Sequence, residues 1–375
     1  MKILYVATVS NTVNAFLIPH IRLLVDMGHQ VDVACNFVQE VNAELILLGC
    51  RFHQVDFQRS PLKIDNVRAY RRIKKLVKDG GYEIIHTHTP VASLITRIAC
   101  RDLIGVKILY TAHGFHFYKG APMKNWLLYY TLEKIAARWT DGIITINDED
   151  RETATRFKLR RNGAIYKVCG VGIDLNKYLP QTNENKIRYR DKFGYEKNDF
   201  ILFYAAELNR NKHQDLLIHV VKRLKNDIPH IKLLLAGAGD LSETYMRLVE
   251  NLDVANHVVF LGFRNDVQEL LQLSDLVVSA SRREGLPVNI LEAMASGLPL
   301  VVTNTRGNRD LVENDENGYI VGVDDVDGFV TAVKKIYESE WLRSKFASQS
   351  LEKVYYYSKE HALQEIESLY CKYVD

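Results

Sequence analysis

Short apolar runs alternate with longer amphipathic segments along the first part of the chain. The apolar runs predict strands, and the amphipathic segments between them predict helices. Strands are predicted over residues 3–9, 31–35, 83–86, 106–112 and 142–146. Helices are predicted over residues 14–27, 68–78, 92–103 and 125–139. Strands that alternate with helices indicate a parallel, doubly wound sheet.

The same pattern restarts after a polar, charge-rich stretch at residues 181–198. Strands are predicted over residues 200–205, 231–236, 258–261, 276–279 and 300–303, and helices over 213–225 and 286–295. We therefore predict two α/β domains, residues 1–180 and 181–357. A last helix, within residues 358–375, is expected to pack back toward the first domain. Ligands bind outside the carboxyl ends of strands in such sheets, so a cleft between the domains is the predicted site.

Charge is divided unevenly between the two halves. Residues 1–180 carry 25 basic and 16 acidic side chains, a net charge of +9, whereas residues 181–375 carry 24 and 30, a net charge of −6. A basic half suggests an anionic partner such as a membrane surface, a lipid phosphate or a nucleic acid. Solvated faces without a partner are the alternative that charge alone leaves open.

The lengths of the apolar runs and the cysteine spacing predict a cytosolic protein. No apolar run approaches the ~20 residues that span a bilayer. The apolar amino-terminal run lacks the length and cleavage site of a signal peptide. None of the five cysteines forms a Cys-x-x-Cys pair. Buried or incidental thiols are therefore favoured over disulfides or zinc.

The segment at residues 284–297 carries the sharpest chemical signal. It follows the predicted strand 276–279 and leads into a helix with a glycine and a proline at its start. Free backbone N–H groups and the positive end of the helix dipole collect there, which suits a diphosphate. Glu292 lies about two turns beyond Glu284, so one carboxylate could address a sugar and the other a ribose. Helix capping by Glu284 with a solvent-facing Glu292 is the alternative for these residues taken alone.

In context, this segment resembles the donor-site signature of the retaining GT-B glycosyltransferases of family 4. Other segments resemble the same family in the same order along the chain, at residues 171–174, 234–240, 261–263 and 317–321. Segments at 86–90, 111–122 and 206–212 resemble its bacterial branch that builds capsule, exopolysaccharide and biofilm-matrix chains. The resemblance covers the whole chain. It implies two Rossmann-like, doubly wound parallel-sheet domains that face a cleft.

The resemblance also implies roles for individual residues. Glu292 is expected to hold the donor ribose, and Glu284 to face the transferred sugar. The backbone of Gly285 and Leu286 is expected near the sugar and the phosphates. Lys212 matches the basic residue that pairs with the departing diphosphate, and the nucleotide is expected to be UDP.

The chain departs from the family at two places. The family pattern Gly-Arg-Leu-x-x-x-Lys has an arginine where this chain has Glu207. Because two cationic groups must offset the charge that grows on the diphosphate, another arginine is expected to contribute. The candidates are Arg210, Arg283 and Arg306. At residues 8–13, hydroxyl groups and an amide replace the family's glycines, and Ser10 and Asn11 are assigned to donor binding.

Three histidines of the first half are candidate site residues. His113 follows the predicted strand 106–112, and the matching histidine of the family contacts the donor sugar or stabilises charge near the anomeric carbon. A structural histidine is the alternative without the resemblance. His86 and His88 could form a metal pair, but no carboxylate accompanies them, so no metal is predicted. His88 and His116 are assigned to the acceptor side.

Basic and aromatic side chains are interleaved at residues 119–139, and the predicted helix 68–78 adds five cations after its first residue: Arg71, Arg72, Lys74, Lys75 and Lys78. This combination suits a membrane interface, with core packing and solvation as the alternative. The resemblance implies a polyprenyl-diphosphate-linked sugar as acceptor. We therefore expect peripheral contact with the anionic inner face of the cell membrane, and no nucleic acid partner.

The predicted activity is a metal-independent, retaining sugar transfer from a nucleotide-diphosphate donor to a lipid-linked saccharide. No Asp-x-Asp motif stands at the predicted cleft, so no divalent ion or other cofactor is expected. A sugar-nucleotide 2-epimerase on the same fold is one alternative, but its acid–base set is not found. A non-catalytic nucleotide-sugar binding protein is another, although Glu284, Glu292 and Lys212 are all present. A nicotinamide dehydrogenase is disfavoured because Gly-x-Gly-x-x-Gly is missing after the first strand.

Overall fold

The computed structural model describes residues 1–58, 60–61, 63–160 and 162–374. Its contacts divide the chain into two compact units. Unit 1 contains residues 1–172 and the chain from residue 360 onward, and unit 2 contains residues 173–359. Among the described residues, none of the helices is both long and apolar enough to cross a bilayer.

Unit 1 is built on a seven-stranded sheet. Its strands are β1 (Lys2–Val9), β2 (Gln30–Asn36), β3 (Arg51–Gln54), β4 (Ile84–His88), β5 (Lys107–Ala112), β6 (Gly142–Thr145) and β7 (Ala164–Lys167). They lie in the order β3-β2-β1-β4-β5-β6-β7, and every neighbouring pair is parallel. The central strands β1 and β4 are buried along almost their whole length, because helices cover both faces of a doubly wound sheet.

Helices connect these strands. They are α1 (Ser10–Thr12), α2 (Ile18–Asp26), α3 (Ala43–Leu47), α4 (Asn66–Gly80), α5 (Pro90–Ala99), α6 (Met123–Asn125), α7 (Thr131–Ala136) and α8 (Asp148–Ala154). The predicted helix 14–27 is interrupted by a π-helical turn over Val13–Leu17, and a second such turn, Trp126–Tyr130, joins α6 to α7. The helix α4 buries Ala69, Ile73 and Val77, which recur every fourth position and so share one face.

Unit 2 contains a second parallel sheet, of six strands. These are β8 (Phe200–Ala205), β9 (Ile231–Ala236), β10 (Val258–Gly262), β11 (Leu276–Ser279), β12 (Leu300–Thr303) and β13 (Gly318–Val321). Their order is β10-β9-β8-β11-β12-β13. The order reverses between β8 and β11, which lie side by side at the point where an open α/β sheet binds its ligand.

The helices of unit 2 cover both faces of its sheet. They are α9 (Asn183–Phe193), α10 (Gln214–Leu224), α11 (Ser242–Asn251), α12 (Val267–Leu273), α13 (Val288–Ala295), α14 (Arg306–Leu311), α15 (Val326–Glu338) and α16 (Glu340–Val354). Leu202 and Tyr204 of β8 join one core cluster with α10, α11 and α15. Ile201 and Phe203 are also buried but point to the opposite face, because successive side chains of a strand alternate.

The chain passes between the units at two points, 172/173 and 359/360. Ile173 pairs with Ser358 within unit 2, and its N–H donates to the Tyr357 carbonyl at 2.9 Å. The first of these points, 172/173, lies eight residues before the predicted domain boundary at 180/181. The polar stretch expected to mark that boundary forms α9 instead. The last helix, α17 (Lys359–Val374), contributes buried Tyr370 to unit 1.

The predicted fold class, two Rossmann-like doubly wound parallel sheets, is confirmed. The strands absent from the prediction are β3, β7 and β13. All three are edge strands of their sheets.

Candidate functional site

Two loops of unit 2 meet at the carboxyl ends of the neighbouring strands β8 and β11. The N–H of Arg282 donates to the Asn211 carbonyl at 2.8 Å. The Asn211 side-chain amide in turn donates to the Arg283 carbonyl at 3.0 Å. These reciprocal bonds fix the loop after β8 against the loop after β11.

An ion pair joins the same two loops. The Lys212 ammonium lies 2.6 Å from Oε1 of Glu284, and both side chains are largely buried. Burial alone would lower the pKa of Lys212, but the Glu284 carboxylate more than offsets it and the pKa is raised. Lys212 is therefore a permanent cation held in place by its partner. The sequence resemblance placed both residues in the site, and the structure brings them together.

Arg306 is the candidate arginine that the structure places beside this pair. It begins α14, is 4% exposed, and its Nε donates to the Glu284 backbone carbonyl at 2.8 Å. A Cβ on the next residue, Gly307, would lie 2.3 Å from the Gly285 carbonyl oxygen, so this close approach needs glycine. Arg210 and Arg283 are more exposed, and neither guanidinium has a hydrogen-bond partner among the described residues.

The loop of Gly285 and Leu286 leads directly into α13, which begins at Val288 after an extended Pro287. The first N–H groups of a helix have no acceptor within the helix and remain available to an anion. A third loop, after β9, lies against the loop after β8. A Cβ at Gly237 would lie 2.0 Å from the Ala206 carbonyl oxygen. Three loop segments thus converge at one edge of the sheet.

Glu292 lies on α13 and has a partner that the sequence did not reveal. The Tyr178 hydroxyl donates to its Oε1 at 2.6 Å. Burial raises the pKa of Glu292, while the bond from Tyr178 opposes that shift. The fixed carboxylate can accept hydrogen bonds from a ligand hydroxyl. No sequence spacing indicates Tyr178, because it precedes Glu292 by 114 residues.

The first loop of unit 1 contains the two residues assigned to donor binding, Ser10 and Asn11. Ser10 is 1% exposed, and its hydroxyl donates to the Gln39 carbonyl at 3.1 Å and accepts from the Gln39 N–H at 3.0 Å. The Ser10 hydroxyl is therefore engaged within the fold, and its assignment to donor binding stays a prediction. Asn11 is exposed and has no hydrogen-bond partner among the described residues, so it stays a candidate.

The strand β4 continues two residues beyond its predicted end and carries both His86 and His88. Their rings lie on the same side of the sheet with centroids 4.3 Å apart. His88 is 0% exposed, and its Nδ1 lies 3.1 Å from Nε2 of half-buried His113. The His88 ring is therefore covered and contacts His113 directly, and its assignment to the acceptor side stays a prediction.

The other histidine of β4, His86, contacts the last helix. Nδ1 of His86 lies 2.7 Å from the Tyr370 hydroxyl, and its Nε2 lies 2.7 Å from the Thr111 hydroxyl. The Tyr370 hydroxyl donates further to the Tyr5 oxygen at 3.2 Å. We call these four residues, with His20, His88 and His113, the histidine network. Its contacts join β1, β4, β5 and α17.

The histidines of this network are neutral near pH 7. Burial lowers the pKa of His20 and of His113 to about 4. Burial, reinforced by the neighbouring imidazoles, holds the pKa of His86 and His88 well below the ordinary value.

Unit 1 should therefore lose stability in mild acid. A histidine in an unfolded chain titrates near 6.5, so below that pH the unfolded state binds a proton that buried His20 does not. The stabilising contribution of neutral His20 is present above about pH 6.5 and is lost as the pH falls toward 4. We expect the free energy of unfolding to drop by about 2 kcal/mol per such histidine between pH 7 and pH 5. Urea titrations of the wild type and of His20→Leu measure this. An identical pH dependence in the variant would contradict the assignment.

His116, the other acceptor-side candidate, is half-buried, and its ring lies 4.8 Å from that of Tyr129 between centroids. Its backbone carbonyl accepts a hydrogen bond from the Asn125 side chain at 2.9 Å. The residue therefore anchors the segment that leads into the second π-helical turn, and its acceptor role stays a prediction.

One group of metal-ligating side chains occurs among the described residues. The candidate ligand atoms of Cys169, His361 and Glu365 all lie within 4.8 Å of one another in unit 1. The group contains none of the predicted site residues. Sequence reasoning missed it because 192 residues separate Cys169 from His361.

Two segments of unit 1 carry the basic and aromatic residues that suggested a membrane interface. All six cations of α4 are exposed: Arg68, Arg71, Arg72, Lys74, Lys75 and Lys78. Met123 and Leu127 are 72% and 69% exposed, whereas Trp126 and Tyr130 pack on buried Phe117. The helix α5 contacts both α4 and α7, so the two segments border the same helix.

Two family models match the chain. Residues 2–147 match a model described as "Glycosyl transferase 4-like", and residues 185–353 match one described as "Glycosyl transferases group 1". The two matched ranges fall within unit 1 and unit 2, respectively.

Named relatives match most of the chain. EpsD of Bacillus subtilis, a glycosyltransferase by name, is 39% identical over 100% of this chain and 97% of its own length. The Escherichia coli UDP-Gal:alpha-D-GlcNAc-diphosphoundecaprenol alpha-1,3-galactosyltransferase is 30% identical over 74% of this chain and 72% of its own. The capsular polysaccharide biosynthesis glycosyltransferase CapM of Staphylococcus aureus is 24% identical over 98% and 96%.

A solved structure shares the fold of the whole chain. HepE of Anabaena, crystallised with UDP and glucose, superposes with a TM-score of 0.80 at 19% identity, covering 99% of this chain and 100% of its own.

Proposed function

Because this chain belongs to the family 4 glycosyltransferases of the GT-B fold, we propose that it transfers a sugar from a UDP-sugar to a lipid-linked saccharide, with retention of the anomeric configuration and without a metal ion. The product would be an intermediate of capsule or exopolysaccharide biosynthesis. The observation that carries this proposal is the buried Lys212–Glu284 pair beside Arg306, where β8 and β11 end.

Unit 2 has the chemistry that a nucleotide-diphosphate sugar requires. Lys212 and Glu284 neutralise each other in the free protein, so the charge of a diphosphate must be met by further groups. Arg306 and the N–H groups at the start of α13 supply them. Glu292, held by Tyr178, would accept hydrogen bonds from the ribose hydroxyls. UDP as the nucleotide is supported by the donor in the name of the Escherichia coli relative and by UDP in the HepE crystal.

The reaction breaks the bond between the anomeric carbon and the β-phosphate oxygen and forms one to the acceptor oxygen. Positive charge develops on the sugar ring and negative charge on the leaving diphosphate. Lys212 and Arg306 stabilise the leaving group, and the Glu284 carboxylate stabilises the sugar ring. The leaving diphosphate takes the proton of the acceptor hydroxyl on the same face, so the configuration is retained. His113 of unit 1 is proposed to contact the substrate.

A diphosphate-linked polyprenyl sugar is the proposed acceptor. The name of the Escherichia coli relative specifies a sugar on diphosphoundecaprenol, and the name of the Staphylococcus aureus relative specifies capsular polysaccharide biosynthesis. An acceptor that is itself anchored in a membrane requires the enzyme to work at the membrane surface.

Purified protein incubated with UDP-sugars and short-chain polyprenyl-diphosphate-linked saccharides tests the proposal. We expect one pair to give a glycosylated lipid, at the same rate with and without EDTA. The anomeric proton coupling of the product should match that of the donor. Product that forms only with added Mg²⁺ or Mn²⁺ would overturn metal independence. An inverted linkage would overturn retention. An altered sugar at C2 of the donor, with no transfer, would favour the epimerase.

The exposed cations of α4 and the apolar side chains of Met123 and Leu127 are the proposed contact with an anionic membrane. Replacing Arg71, Lys74 and Lys78 by glutamine should weaken binding to phosphatidylglycerol vesicles at least tenfold, since each cation near such a surface contributes about 1 kcal/mol. Co-sedimentation measures the change. Lys222, Lys335 and Lys345 of unit 2, replaced in the same way, form the control. Equal losses in both triple variants would argue against a specific membrane face.

A further inference from the structure

The buried His88, at the end of β4, contacts the candidate site residue His113. We infer that His88 is a positioning residue, which holds the neutral His113 ring in the tautomer that carries its proton on Nδ1. The inference rests on the proposed function for the meaning of His113, but the tautomer itself can be observed without any activity.

The contact between the two rings is direct. Nδ1 of His88 lies 3.1 Å from Nε2 of His113, and the ring centroids are 5.4 Å apart. One of these nitrogens must carry the proton of the hydrogen bond. The opposite nitrogens then decide between the two arrangements, because a neutral imidazole has one donor and one acceptor.

The surroundings of His88 favour His88 as the donor. Its Nε2 is buried and has no hydrogen-bond partner among the described residues. If His113 donated, His88 would have to carry its own proton on Nε2, which would leave a buried N–H without an acceptor. Orphaned N–H groups of that kind are rarer in proteins than under-satisfied acceptors. The arrangement with Nδ1–H of His88 donating to Nε2 of His113 leaves only an unpaired acceptor.

The His88 ring is also held against rotation. The Tyr5 ring stacks on it with centroids 5.1 Å apart and an interplanar angle of 28°, and the His86 ring lies 4.3 Å away. His86 itself is fixed at both nitrogens, by the hydroxyls of Tyr370 and Thr111. The donor that His88 offers therefore has a fixed direction, set by packing rather than by solvent.

The hydrogen bond from His88 determines the protonation of the other ring nitrogen of His113, Nδ1. With its Nε2 accepting from His88, the ring carries its proton on Nδ1, which has no hydrogen-bond partner among the described residues. A neutral N–H at this position can donate to an oxygen of the substrate, such as a sugar hydroxyl or a phosphate oxygen. Because the ring is neutral, it would orient that oxygen without adding a charge.

The tautomer can be read by long-range ¹H–¹⁵N correlation spectra of protein labelled with ¹⁵N-histidine. His113→Asn assigns the His113 signals by their loss. In the wild type we expect Nδ1 of His113 to be the protonated nitrogen and Nε2 the unprotonated one. A wild-type spectrum in which His113 carries its proton on Nε2 would overturn the inference, whatever the effects of substituting His88.

Variants at His88 separate its donor from its shape. The side-chain amide of His88→Asn can replace the Nδ1 donor, whereas His88→Phe keeps a ring and loses the donor. We expect His88→Phe to move the His113 proton to Nε2 and to lower kcat 10- to 100-fold with little change in KM for the donor. We expect His88→Asn to keep the tautomer and to stay within about threefold of wild-type kcat. A merely structural role would instead lower both variants together, along with their melting temperatures.

The two claims fail separately. If no nucleotide sugar and lipid-linked saccharide react, while His113 carries its proton on Nδ1 and loses it in His88→Phe, the proposed function fails and the positioning contact stands. If transfer is robust but His88→Phe matches the wild type in kcat and in the His113 tautomer, the positioning role is wrong and the proposed function stands.

Discussion

Replacing Lys212 with methionine should lower kcat/KM for sugar transfer by about a thousandfold, the loss found when one preorganised group is removed from a developing oxyanion. Methionine keeps the length of the side chain and removes the ammonium. The Glu284 carboxylate then loses the partner that lies 2.6 Å away, and a diphosphate would meet an uncompensated negative charge. Both effects act against the leaving group, so we expect the donor to bind more weakly and to react more slowly.

Lys222→Met is the matched control for this variant. Lys222 lies near the end of α10, in the same unit, and has no ion-pair partner among the described residues. Its replacement should leave kcat/KM within twofold of the wild type. Steady-state rates with the best donor and acceptor pair measure both variants, and melting curves show whether either is unfolded. A Lys212→Met enzyme that is folded and retains a third of wild-type kcat/KM would remove Lys212 from the catalytic residues.

Replacing Glu284 with glutamine should separate turnover from donor binding. Glutamine can still accept a hydrogen bond from Lys212, so the two loops stay joined, but the negative charge facing the sugar is lost. We expect kcat to fall about 100- to 1000-fold because the positive charge that develops on the sugar ring loses its counter-charge. Donor affinity should be unchanged or higher, since the Lys212 ammonium is then free to pair with the diphosphate.

Glu243→Gln, on the exposed surface of α11, controls for the loss of a carboxylate elsewhere in unit 2. Rapid-quench single turnovers give the chemical step, and calorimetric titration with the donor gives the affinity. A Glu284→Gln enzyme whose donor affinity falls as much as its rate would show that Glu284 binds the ground state and has no special part in the reaction.

The sequence was sufficient for the central strands and for the edge strand β10, and insufficient for the other three edge strands. The runs at residues 3–9 and 200–205 are buried on both faces, so they are apolar throughout and easily recognised. The edge strands β3, β7 and β13 are mostly half-buried or exposed and only four residues long, and in β3 the polar residues Arg51 and His53 alternate with the others. A short edge strand carries too few buried positions to stand out from a loop.

Some residues of the candidate site stand in local sequence motifs, whereas others are identified only by contacts between residues that are distant in sequence. Lys212 and Glu284 stand in motifs of contiguous residues, and the structure joins them. Tyr178, which holds Glu292, has no motif of its own. The burial of His88 could not be predicted, because it depends on β4 extending to residue 88 and on the packing of the Tyr5 and His86 rings against it. Such contacts join residues that are distant in sequence and leave no local pattern.

Calorimetric titration of UDP and of its 2′,3′-dideoxy analogue, with EDTA present, tests most directly whether unit 2 holds a nucleoside diphosphate. The dissociation constants are compared in the wild type and in Glu292→Ala. We expect the wild type to bind UDP at least tenfold more tightly than the analogue, because Glu292 is proposed to hold the ribose hydroxyls, and we expect the variant to lose this preference. A wild type that does not bind UDP, or an undiminished preference in the variant, would contradict these expectations.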